Sequence, residues 1–136
     1  MSIGLHHVEI WVEDAERAAA EWTWILGRLG WTADGAWPGG FSWRAGGVYL
    51  SFTEAPRQHG SHDRRREGLN HLAFRAGSPH DVDRIVAEAP AHGWTPLYAE
   101  RYPHAGGPDH HAGWLENGSG FKVEIVADAP DEGVRG

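Results

Sequence analysis

The chain has 136 residues, no cysteine, 40% hydrophobic residues including eight tryptophans, and 12 basic against 19 acidic side chains, for a formal charge of −7. These figures suit one compact domain or two small fused units and exclude disulfides and thiolate metal sites. They also argue against a nucleic-acid or anionic-membrane surface, and they leave any metal to His, carboxylate or water ligands.

The first stretch, LHHVEIWVED at 5–14, alternates as a strand. Val8, Ile10 and Val12 share one face; His7, Glu9 and Trp11 share the other. No basic region followed by a long apolar run precedes it, and nothing approaches a membrane span, so the expected location is cytoplasmic with no membrane partner. Asp14 is placed to cap a helix whose apolar stripe is Ala18, Trp22, Ile25 and Leu29. Strands are predicted at about 31–37, 40–45 and 47–54, broken by Asp34-Gly35, Pro38-Gly39-Gly40 and Gly46-Gly47. The stretch 56–68 is polar and charged, and its run Arg64-Arg65-Arg66, flanked by Asp63 and Glu67, reads as a solvated loop.

The pattern then repeats. Leu69, His71, Leu72 and Phe74 fall on Leu5, His7, Val8 and Ile10, and Gly93-Trp94 falls on Gly30-Trp31 with one gap. Ser78-Pro79-His80-Asp81 is a helix start: a capping Ser, Pro at the first helical position, and an acid three residues after the cap. Val82, Ile85, Val86 and Ala89 form the stripe, and Pro90 and Gly93 end it. Strands follow at about 94–101, 109–116 and 120–127, broken by Pro103 to Pro108 and by Asn117-Gly118. Each half therefore reads β-α-β-β-β, and the fold class is α+β with two tandem βαβββ modules. Within a single domain over 1–136, module 1 spans 1–60, the connector 56–68, module 2 69–128 and a tail 129–136.

Strand alternation puts His71, Ala73 and Arg75 on the face away from the second helix. It does the same for Lys122, Glu124 and Val126 of the last strand, and for His110, Ala112 and Trp114 counted back from Glu116. Glu9 is a candidate general base, with a salt bridge to Arg75 as its plainer reading. The loop from Arg101 to His110 is a candidate rim carrying Tyr102 and His110 toward a substrate. Candidate catalytic residues are thus Glu9, Tyr102 and His110. Trp11, Ser51, Arg75 and Trp114 are the candidate substrate-binding residues.

Three stretches, LHHVEIWVED at 5–14, LNHLAF at 69–74 and GFKVEIVA at 120–127, resemble the vicinal-oxygen-chelate superfamily of glyoxalase I, fosfomycin-resistance enzymes, extradiol dioxygenases and bleomycin-resistance proteins. The resemblance implies a cupped mixed sheet with helices outside. It also implies one divalent metal (Zn, Mn, Ni, Co or Fe(II)) held by His7, His71 and Glu124. Such a metal would act as a Lewis acid on two neighbouring substrate oxygens. Matching VYLSF (48–52) to FKVEI (121–125) sets Ser51 opposite Glu124, where glyoxalase I has a second Glu; Ser is a poor ligand, so a four-ligand glyoxalase site is disfavoured. The expected function is a metal-dependent enzyme acting on a small oxygenated molecule. The alternative is a non-catalytic protein that sequesters an antibiotic or metabolite, as bleomycin-resistance relatives do. Small two-module members commonly form homodimers with exchanged modules, which is the expected assembly here.

Overall fold

The computed structural model describes residues 3–131. The chain divides into two compact units, Met1–Ser61 and His62–Gly136. Each unit carries its own four-stranded mixed sheet.

In the first unit, β1 (His7–Val12) leads into α1 (Ala15–Arg28), followed by β2 (Thr32–Trp37), β3 (Gly40–Ala45) and β4 (Val48–Glu54). The strand order is β1-β4-β3-β2, with β1 parallel to β4 and the other pairs antiparallel. Asp14 caps α1 by accepting from the Arg17 amide. The helix buries Ala18, Trp22, Ile25 and Leu26 against Ile10, Val12, Leu50 and Phe52. Leu26 therefore replaces the expected Leu29, which sits at the C-cap where the chain has already left the helix. The Trp22 and Phe52 rings are 4.9 Å apart, and Phe41 stacks on Phe52 at 4.6 Å. Side chains of this size each contribute roughly 1.5–3 kcal/mol on burial, so this cluster holds the helix to its sheet. The opposite face carries His7, Glu9, Trp11, Ser42 and Ser51.

In the second unit the elements are β5 (Leu72–Arg75), α2 (Pro79–Glu88), β6 (Trp94–Leu97), β7 (Ala112–Asn117) and β8 (Lys122–Val126). The order β5-β8-β7-β6, with β5 parallel to β8, repeats that of the first unit. Ser78 and Asp81 form a reciprocal capping box, and the chain continues from α2 through a 3-10 turn to Gly93 at φ 87°. Val82, Ile85, Ala89, Trp94, Leu115, Val123 and Ile125 form the core. β6 stops at Leu97, short of the expected 101. Pro96 offers no amide to the ladder, and Tyr98 turns the chain at φ 57°. β7 starts at Ala112, so His110 precedes the strand rather than belonging to it.

Much of the connector is anchored. Gln58 Nε2 donates to the carbonyls of Glu13 and Ala55 in the first unit. His62 donates its amide to Ser119 O, donates from Nε2 to Leu69 O, and stacks on Phe121 at 4.6 Å. The closing turn fits this anchor closely: at Gly120 (φ +84°) a Cβ would lie 2.0 Å from His62 O. No helix of the described residues is long and apolar enough to cross a membrane.

Candidate functional site

Glu124 is the centre of the polar face of the second sheet. It lies on the inner strand β8 and is only 7% exposed. Alternation sends Val123 and Ile125 into the core and leaves Lys122, Glu124 and Val126 on the other side. His71 immediately precedes β5, the parallel neighbour of β8. Its Nε2 lies 3.1 Å from Glu124 Oε1, and its Nδ1 donates to Asn70 Oδ1 at 2.7 Å. With Nδ1 engaged by Asn70, Nε2 is the nitrogen directed at the carboxylate. His110 reaches the same carboxylate from the loop before β7, its Nε2 2.5 Å from Glu124 Oε2. Trp114, directly across the ladder from Glu124, has its ring 6.0 Å from that of His110. Trp114 also walls a cavity of about 250 Å³ with Val86, Pro96, Leu97, Ala99 and Tyr102.

The donors are two imidazoles and one carboxylate, with no Lys or Arg salt bridge on Glu124 among the described residues. Two ligands each about 2.1 Å from one metal ion, at right angles, are about 3 Å apart. Both contacts to Glu124 are hydrogen bonds; the 3.1 Å to His71 Nε2 also matches that spacing, and the 2.5 Å to His110 Nε2 is shorter than it. Among the described residues no group of three or more His and acidic side chains is arranged as a complete metal cage.

The first unit places the other candidates. His7 is exposed on β1, its ring stacked on Tyr49 at 4.7 Å and its Nδ1 2.9 Å from that of His6. Within the first unit Glu9 accepts from Thr53 Oγ1 at 3.2 Å, and within the second Arg75 pairs with Asp128 at 3.1 Å. Ser51 is 9% exposed and stands between Glu9 and Ser42 in the ladder. Trp11 is 56% exposed on the same face. In the second unit the Tyr102 hydroxyl donates to Asp83 on α2, and His111 Nε2 lies 3.0 Å from that same carboxylate. This arrangement ties the 101–111 loop to the helix. It keeps the Tyr102 hydroxyl off Glu124, while the residue's body lines the cavity. Burial, then the hydrogen bond and charge of Asp83, push its phenol well above the ordinary tyrosine value.

Sequence reasoning missed Tyr98, Lys122 and Arg64. Lys122 Nζ donates to the Tyr98 hydroxyl at 2.8 Å, and Arg64 Nε donates to Glu116 Oε2 at 2.7 Å. Arg64 is therefore not simply part of a solvated basic run. Lys122 shares the parity of Glu124, which was the available signal.

Comparison with known proteins agrees with this architecture. Residues 6–114 match the model of the glyoxalase/bleomycin resistance protein/dioxygenase superfamily. The chain belongs to this superfamily. It is 39% identical to the protein YqjT of Bacillus subtilis (strain 168) over 125 residues, which cover 90% of this chain and 98% of that one. A candidate glyoxalase from Bacillus halodurans, known from its crystal structure, is 43% identical with a TM-score of 0.86, covering 93% of this chain and 95% of that one. The fosfomycin resistance protein FosX of Listeria monocytogenes, in a mutant form complexed with Mn(II) and 1S,2S-dihydroxypropylphosphonic acid, shares the fold at a TM-score of 0.62 and 14% identity, covering 93% and 91%.

Proposed function

We propose that this superfamily member is a metal-dependent enzyme acting on a small oxygenated molecule, with one divalent ion held by His71 and Glu124 and completed by His7. The observation that carries this reading is the 3.1 Å between His71 Nε2 and Glu124 Oε1, the spacing of neighbouring metal ligands on a buried carboxylate. The Mn(II) of FosX, a protein of the same fold, agrees with it. When bound, the ion supplies Lewis acidity toward two adjacent substrate oxygens.

The chain's own residues do the rest. Asn70 fixes the His71 ring, so that Nε2 faces the site. His110 donates to the second oxygen of Glu124 and steadies it; from there its ring is within reach of a proton on a substrate beside Glu124. Trp114 and the apolar cavity beside it exclude water from one side of the substrate. Glu9 remains a second candidate base, supplied by the first unit with Trp11 and Ser51.

In this reading the active assembly is a homodimer in the cytoplasm, His7 coming from one chain and His71 with Glu124 from the other. Refolding His7→Ala together with His71→Ala protein should restore about one site per mixed dimer, as two-fold symmetry requires. The function itself is tested by metal analysis of the purified protein, then anaerobic Fe(II) reconstitution and oxygen uptake on catechols. Failure to bind any divalent ion at stoichiometric level would remove the metal reading altogether.

A further inference from the structure

Lys122 lies two residues before Glu124 on the same face of β8 and is 8% exposed. Its ammonium donates to the Tyr98 hydroxyl at 2.8 Å. Among the described residues no carboxylate lies within ion-pair distance of it. Its cross-ladder neighbour Glu116 is taken by Arg64 Nε at 2.7 Å. Arg64 also faces the Tyr98 hydroxyl, and the Arg101 guanidinium lies 5.0 Å from the Tyr98 ring, paired with Glu100 at 3.6 Å. Around this one phenol stand three cations, with Glu116 and Glu100 already engaged by two of them. A buried ammonium is costly unless an anion or several hydrogen bonds compensate it, and one neutral phenol does so only in part. A methionine or leucine would fill the same volume at less cost.

Tyr98 is also held at φ 57°, the sole positive φ of a non-glycine residue among the described residues. A bulky side chain rarely adopts that conformation, and here it sets the ring over Lys122 and edge-on to Trp114 at 5.9 Å. Trp114 in turn faces Glu124 across the ladder. The cationic group and the Glu124 group are therefore neighbouring parts of one surface, separated by the strand repeat of two residues, about 6.7 Å.

We propose that Lys122, Tyr98 and Arg64 form an oxyanion-binding subsite that seats the acidic group of the substrate, so that the Glu124 site takes small oxygenated acids in preference to neutral compounds. The subsite stands on its own geometry; its link to the oxygen pair rests on the metal reading above. Lys122 and the Tyr98 hydroxyl donate to the anion, and Arg64 adds charge while neutralising Glu116.

Two measurements test this. In the first, inorganic phosphate is titrated into metal-free protein and followed by amide chemical shifts. Saturable shifts should centre on Tyr98, Lys122 and Arg64, and should be lost in Lys122→Met and weakened in Tyr98→Phe, the latter a variant that keeps the ring packing. In the second, Zn-loaded protein is titrated with catechol and with 3,4-dihydroxybenzoate, which carry the same oxygen pair but only one a carboxylate. The acid should bind about tenfold or more tightly, the scale of one charge-assisted hydrogen bond, and the advantage should vanish in Lys122→Met. Phosphate shifts elsewhere, or unchanged in both variants, would overturn the subsite. Equal affinity for the two phenols would overturn its role in substrate choice. If catechol itself fails to bind the Zn-loaded protein, the reading of the ion as a seat for an oxygen pair falls, and the phosphate titration alone decides the subsite.

Discussion

His110 Nε2 lies 2.5 Å from Glu124 Oε2, while His71 Nε2 lies 3.1 Å from the other oxygen. Two imidazoles thus divide one buried carboxylate. Both are hydrogen bonds, and the longer one also has the spacing of two ligands on one ion. The two histidines should then fail differently when removed.

His71→Ala and Glu124→Ala should each lose most bound metal while keeping a native circular-dichroism spectrum. His110→Ala should retain near-stoichiometric metal with turnover or affinity lowered about 10- to 100-fold, the usual cost of losing a partner behind a ligand. Elemental analysis of the three variants checks this. Equal metal loss in His110→Ala would make His110 a ligand.

Ser51, 9% exposed between Glu9 and Ser42, offers only a hydroxyl at the position matching Glu124. Ser51→Ala should keep its metal content. The wild-type protein should turn over the methylglyoxal–glutathione hemithioacetal poorly; efficient turnover would show that a fourth protein ligand is not needed here.

The tyrosines should ionise in a fixed order. The Lys122 hydrogen bond, against some burial, holds the Tyr98 phenol below its usual 10.0, with Lys122, Arg64 and Arg101 charge adding to the effect. Burial and Asp83 push Tyr102 the other way. A phenol with a lowered pKa loses its proton earlier as pH rises, so Tyr98 should titrate before Tyr102. Lys122→Met should move the Tyr98 transition upward. Carbon-13 tyrosine spectra with single Tyr→Phe assignments read this directly.

Gly113 has no room for a side chain: a Cβ there would lie 2.4 Å from Val86 Cγ2. Gly113→Ala should destabilise the fold by about 1–3 kcal/mol in urea denaturation, as overpacked cores do. Adding Val86→Ala should recover part of that loss, and purely additive effects would count against the steric account.

The duplicated βαβββ order, both caps and the sidedness of His71 and Glu124 were readable from residue spacing, because strand parity and helix capping are local rules. What parity could not give was reach. His110 stands outside β7, yet its side chain spans to Glu124; Tyr102 shares the same loop, and its hydroxyl turns to Asp83. Thr53 and Asp128, which pair with Glu9 and Arg75 within their own units, were equally out of parity's sight. Tyr98 was hidden because its placement depends on a left-handed backbone that no side-chain pattern announces. Whole-chain resemblance named the family, but the cationic neighbour of the carboxylate is a property of these particular side chains.

The anchored connector amounts to a leash of known length. Gln58 is tied to the Glu13 and Ala55 carbonyls, and His62 to Ser119 and Phe121, so only residues 59–61 are left between the two tethering points. Four Cα steps cover at most about 14 Å even when fully stretched. A linker that short sets an upper limit on its span, whatever conformation it takes. It caps how far apart the two tethering points can lie. Lengthening it by a few residues at Gly60 would raise that cap while leaving every residue of both polar faces untouched.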